Sequence, residues 1–146
     1  MKYYMKTTVI FFAALMSFGL FAQNAVVTNS VSEPFFCNPK ISDSRLSPFI
    51  EKLKDYTLRN KGKKVAKLIS FPISVEFENG DKQVITNMSF FTLFFNRIFT
   101  QKLRAQLLED SFKPTGCDKD RVIFGNGAIS IAHKYGKLKI STINTF

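Results

Sequence analysis

Histidine and cysteine are scarce in this chain, with one His and two Cys in 146 residues. That scarcity excludes much site chemistry. His133 is not spaced to join Cys37 and Cys117 in a metal site, so neither a metal nor a cofactor is expected. Nor is there a phosphate-cradling loop. Gly125-Asn126-Gly127 lacks the GxxxxGK spacing followed by Ser or Thr, and no helix follows it. It reads instead as a bulge or a sharp strand bend. No nucleophile elbow surrounds any serine. The carboxylates are poorly placed for acid–base work. Glu76 and Glu78 alternate with the apolar positions of a strand and face water. Asp118 and Asp120 stand next to Lys119 and Arg121 in a turn, and Glu109 and Asp110 end a helix. No catalytic residue is assigned, and a non-enzymatic role is the expectation.

Acidic residues are also in short supply, 11 against 21 basic, for a formal net charge of +10. Such an excess attracts nucleic acid, anionic lipid or an acidic protein, or simply solvates a basic surface. The chain shows no groove-reading motif, zinc spacing or ribonucleoprotein signature, so nucleic acid is not the expected partner. The densest basic run is Lys52, Arg59, Lys61, Lys63, Lys64 and Lys67. It is either a solvated helix hairpin or a patch for an acidic partner, where charge speeds encounter and adds specificity.

No apolar run reaches the roughly 20 residues of a membrane span. The longest, Thr7 to Phe21, follows Lys2 and Lys6 and precedes Ala22-Gln23-Asn24-Ala25. That layout is a secretory signal peptide, with a membrane anchor as the competing reading. Residues 1–22 are therefore taken as the leader, 23–43 as an extended arm holding Pro34 and Pro39, and 44–146 as one domain. Cleavage leaves a periplasmic or secreted protein with no transmembrane segment. Loss of Lys2 and Lys6 leaves 19 basic against 11 acidic residues, a net charge near +8. In an oxidising compartment, Cys37 and Cys117 either form one disulfide or remain two thiols. A closed loop of that length contributes roughly 4 kcal/mol in the chain-entropy picture.

Periodicity supplies the elements. Ser47 caps and Pro48 opens a first helix, with Leu46, Phe49, Ile50 and Leu53 at helical spacing up to Leu58. Asn60 to Gly62 breaks it. A short second helix, KKVAKLI, turns Val65, Leu68 and Ile69 inward and cannot pass Pro72. Phe71, Ile73, Val75 and Phe77 alternate as a half-buried strand. Asn79-Gly80-Asp81 turns the chain, and Gln83 to Thr86 returns. Asn87 and Thr100 cap two further helices, the second with Leu103 and Leu107 on one side. The tail is β again: RVIFGNGAISIAH, a Tyr135-Gly136 turn, then KLKISTIN. The order ααββααββ describes an α+β domain, with no internal repeat.

Five phenylalanines fall between Phe90 and Phe99. At about 100° per residue, Phe90, Phe91, Phe94, Phe95, Ile98 and Phe99 share one half of the helix. Thr92, Asn96 and Arg97 take the other half, with Leu93 out of place. Length and Arg97 exclude a membrane span. The face belongs against a sheet as core, with a pocket lined by Phe91, Phe95, Phe99 and His133 as the alternative. His133 shares its strand face with Ile129 and Ile131.

With that order established, KVAKLISFPISV, NMSFFTLFFNRIFT, IFGNGAISIA and YGKLKISTIN resemble segments of small exported bacterial proteins of the nuclear transport factor 2-like superfamily. Members carry a pattern close to VAxLIxFPLxV, NGK, IKNxxEFxxxYDKIFT, IGNGEIWI and GKIKIxxIN. The resemblance covers Leu46 to Asn144. It implies a cystatin-like cone, a curved antiparallel sheet packed on the N-terminal and central helices, with a cavity at its mouth. That architecture hosts enzymes, adaptors and proteins of no known activity, so it does not dictate function. The chain departs from the pattern at Phe95-Asn96, where relatives have Tyr-Asp, and at Ala128 and Ser130, where they have Glu and Trp. An inherited polar site is thereby in doubt. The leading expectation is an exported binding protein meeting a protein or envelope component, as inhibitors and immunity proteins do. The alternative is a small cone enzyme, or a carrier of an apolar ligand beneath the Phe-rich helix.

Overall fold

The computed structural model describes residues 40–118 and 120–145. The expected leader, most of the arm and Cys37 lie outside the described residues. From Lys40 onward the chain forms four α-helices and a six-stranded sheet.

Helix α1 spans Asp43–Leu58 and begins earlier than the sequence suggests. The Ser42 carbonyl accepts from the Arg45 and Leu46 amides at 2.9 and 3.0 Å, which closes the first turn ahead of Pro48. Pro48 therefore lies inside the helix, and only the Ser44 carbonyl goes without the donor that proline lacks. Asp43 in the first turn suits the positive end of the helix dipole. The last residues of the expected arm also belong to the fold, since Ile41 is fully buried in the core. Helix α2 is short, Gly62–Ala66. Strand β1, Ile69–Glu76, takes over where the second helix was expected to continue.

Phe71 is half-buried while Ile73, Val75 and Phe77 are buried, as their alternation required. The turn after β1 uses Gly80 at φ +84, with the Asp81 amide donating to Asn79 Oδ1. Strand β2, Lys82–Ile85, returns with Ile85 opposite Ile73. Helix α3, Met88–Ile98, is capped by Asn87, whose Oδ1 accepts from the Phe90 amide at 2.9 Å. Helix α4, Gln101–Leu108, is capped in the same way by Thr100.

Strands β3 (Pro114–Asp118), β4 (Arg121–Phe124), β5 (Ile129–Lys134) and β6 (Lys137–Asn144) complete the sheet. Strand β3 was not expected from the sequence. The order across the sheet is β2-β1-β6-β5-β4-β3, and it does not close on itself. It is a mixed sheet, because β1 runs parallel to β6. An antiparallel sheet was expected, but the two helices between β2 and β3 let the chain return to β1 from its other side. Gly125-Asn126-Gly127 is a 3-10 turn with three positive φ values, 57°, 54° and 97°. It reverses the chain between β4 and β5, where a bend within one strand was expected.

The register places Val75, Ile143, Ile129 and Phe124 in one buried row across four strands. The adjacent row, Ser74, Thr142, Ser130 and Ile123, is mostly polar and less buried. Phe91, Phe95, Ile98 and Phe99 join the buried set from α3 and its end, and Leu93 is 77% exposed on the opposite side. The helical wheel thus corresponds to the observed faces.

Candidate basic groove

The six basic residues singled out in the sequence do not form one patch. Arg59 Nε lies 2.6 Å from Asp55 Oδ1, and Lys61 approaches the other oxygen of the same carboxylate. Lys64 sits 5.3 Å from the Tyr56 ring centroid, within reach of a cation–π contact. Asp55 thus offsets part of the charge at this end of the helical hairpin, where Lys63 is exposed. Lys52 and Lys67 lie elsewhere, on the walls of a groove of about 420 Å³.

That groove runs between α1 and the start of β6. Pro48, Phe49, Leu68 and Leu138 give it an apolar lining, and Arg45, Lys52, Lys67, Lys137 and Lys139 supply its charge. Among the described residues, no acidic side chain lines it. Two of the cations are held by backbone carbonyls. Lys139 Nζ donates to the Lys67 carbonyl at 2.6 Å. Arg45 Nη1 donates to the Lys40 carbonyl at 3.0 Å, and Nη2 reaches toward the Gly136 carbonyl at 3.4 Å. Burial first, and then the neighbouring charge of Lys137, push the Lys139 ammonium below the ordinary lysine range. Sequence reasoning found Lys52 and Lys67 but not Arg45, two turns earlier on α1, nor Lys137 and Lys139, which arrive from the distant β6.

On the other side of the β5–β6 hairpin lies a groove of about 450 Å³, with Asp120, Arg121, Lys134 and Tyr135 among its walls. Tyr135 is 91% exposed and, with Gly136, takes the positive φ that a tight two-residue hairpin demands. This groove mixes both signs of charge.

The Phe-rich face is occupied by its own rings. Phe91 and Phe99 are fully buried, Phe95 nearly so, and the centroid separations of the three are 5.2–6.4 Å. Phe71 adds an edge contact to Phe91 at 6.1 Å. His133 is half-buried and pairs across the hairpin with Leu138. None of Phe91, Phe95, Phe99 and His133 lines either groove. Ala128 and Ser130 are both buried, and their carbonyls accept from the Asn144 amide and the Ser141 hydroxyl.

The carboxylates stay at the surface. Glu78, Glu109, Asp110 and Asp120 are exposed, and Glu76 pairs with Lys82 at 3.3 Å. Asp118 pairs with Arg121. Among the described residues no cluster of acidic, His and Cys side chains is suited to a metal, and no helix is long and apolar enough to cross a membrane. Cys117 is exposed on β3. Compared with known families, curated proteins and solved structures, the chain matches none.

Proposed function

We propose that the chain is an exported, non-enzymatic binding protein of the cystatin-like cone type, and that it meets an acidic protein or envelope component through the basic groove. The convergence of five cations from α1, the end of α2 and β6 on one apolar-lined groove carries this reading. Charge of one sign in a concave site raises the local concentration of an opposite partner and speeds its encounter. The leader-like start of the sequence, Lys2 and Lys6 before the apolar run, supports export to the periplasm or beyond. The order of helices and strands supports membership in the nuclear transport factor 2-like superfamily. An inhibitor or immunity-like role fits this size and compartment.

Capture from the native envelope fraction tests the binding reading. Recovery of a partner should fall with added salt and with the double variant Lys52→Glu/Lys67→Glu. Recovery indifferent to both would overturn it. For export, a C-terminally tagged chain should be found shortened in the soluble exported fraction. Full-length protein in the membranes would count against it.

A further inference from the structure

The groove's two halves make different demands on an occupant. Its cations come from three separate segments, and none makes an ion pair among the described residues. Of the three acidic groups of α1, Asp55 pairs with Arg59 and Lys61 and Glu51 with Lys54, while Asp43 and Glu51 line a different pocket. Holding like charges together opposes folding, so an anion in the groove would remove a cost already built into the structure. Phe49, Leu68 and Leu138 meanwhile offer an apolar surface that a bare ion leaves in contact with water. A purely hydrocarbon ligand would cover that surface and leave the charges unpaired.

We infer that the groove binds a phosphate monoester carrying an apolar substituent. The inference rests on the binding reading above and names the chemistry of the ligand. A phosphate monoester brings up to two negative charges and three strong acceptor oxygens, where a single carboxylate brings one charge. Lysine ammoniums meet phosphate as point charges from several directions, without the planar match that arginine makes with carboxylate. Lys52 on the α1 side and Lys137 on the β6 side supply such charges from opposite walls. The volume, about 420 Å³, lies within the range of small-ligand sites. The ester comes either from a soluble metabolite or from a lipid head at a bilayer surface.

Calorimetric titration with monomeric octyl phosphate tests the shared chemistry. One saturable site is expected, with inorganic phosphate weaker by about tenfold, since it leaves the apolar lining wet. The exposed pair Lys52→Glu/Lys137→Glu should lower affinity by about tenfold or more. The control pair Lys63→Glu/Lys102→Glu, exposed and outside the groove, should change it by less than about twofold. Equal urea midpoints across the variants establish that the fold is kept. Flotation with phosphatidylcholine vesicles, with and without phosphatidic acid, identifies the source. Co-flotation only with phosphatidic acid supports a lipid head, and octyl phosphate binding without co-flotation supports a soluble ester. The inference fails if octyl phosphate does not bind, if it binds no more tightly than inorganic phosphate, or if the control pair costs as much as the groove pair. Failed octyl phosphate binding with envelope capture still lost on Lys52→Glu/Lys67→Glu removes the ligand class alone. Capture that is insensitive to salt and to that variant removes the binding reading as well.

Discussion

Arg104 donates to four neutral oxygens. Its Nε reaches the Phe99 carbonyl at 2.7 Å, Nη1 the Thr57 carbonyl and Asn60 Oδ1 at 2.8 Å each, and Nη2 Asn96 Oδ1 at 2.9 Å. It also lies 5.2 Å from the Phe95 ring centroid. One half-buried side chain on α4 thus satisfies carbonyls at the ends of α1 and α3, where helices leave acceptors unpaired. Burial lowers its pKa from the ordinary guanidinium value. The Phe95-Asn96 pair, which replaces Tyr-Asp of the resembling pattern, lies against this guanidinium. Asn96 fills the acceptor position without a charge. Arg104→Met should cost about 2 kcal/mol, because several acceptors lose a donor at once while water reaches some of them. Arg104→Lys should recover only part of that, since one ammonium cannot span the same oxygens. A shift in urea midpoint at constant slope measures both. An unchanged midpoint in Arg104→Met would show that the network adds nothing.

Among the elements, α2 depends on the absence of a side chain. A Cβ at Gly62 would stand 3.0 Å from Phe95 Cγ and 3.3 Å from Phe95 Cβ, so the short helix approaches α3 closely only at glycine. Gly62→Ala should destabilise by about 1–2 kcal/mol despite the better helix propensity of alanine, because buried Phe95 has little room to yield. A thermal midpoint at or above that of the parent would refute the close approach. Elements with strong local signals were legible in the sequence. The alternation of β1, the caps Asn87 and Thr100, and the Tyr135-Gly136 turn all lie within a few residues of what they organise. Strand β3 was not legible, because Pro-Thr-Gly-Cys-Asp has no apolar alternation and is held by its pairing with β4. The parallel partnership of β1 and β6 joins segments more than sixty residues apart in sequence, beyond the reach of local periodicity. The groove was half legible for the same reason. Lys52 and Lys67 belong to a visible basic run, while Lys137 and Lys139 reach them only through the sheet.

For the molecule as a whole, β2 and β3 are the outermost strands of the sheet, and β3 carries Cys117 exposed. We propose that Cys37, outside the described residues, bridges to it and ties the N-terminal segment to that edge. Intact mass should rise by about 2 Da on reduction, as two thiols replace one disulfide. No change would mean two thiols. The stabilisation at stake is roughly 4 kcal/mol, enough to separate reduced from oxidised protein clearly in urea.

The same scale governs the charge of the groove. Lys139 is half-buried, beside Lys137 and sharing the groove with Arg45, Lys52 and Lys67, and no carboxylate of the described residues lines it. Its pKa is lowered in the folded protein, so the unfolded chain binds more protons between the folded value and the ordinary lysine value. Stability must therefore rise with pH through that alkaline window and lack this contribution at lower pH. Other groups titrate there too, so the comparison is with Lys139→Met. The parent should gain stability relative to the variant as pH rises, and a difference that stays flat would contradict the lowered pKa. A phosphate ester in the groove reverses the sign. Its negative charge raises the pKa of Lys139, the complex binds more protons than the free protein, and affinity should fall as pH rises through the same window. In Lys139→Met that fall should be shallower. An equal slope in parent and variant would mean that the ligand's charge does not act on Lys139.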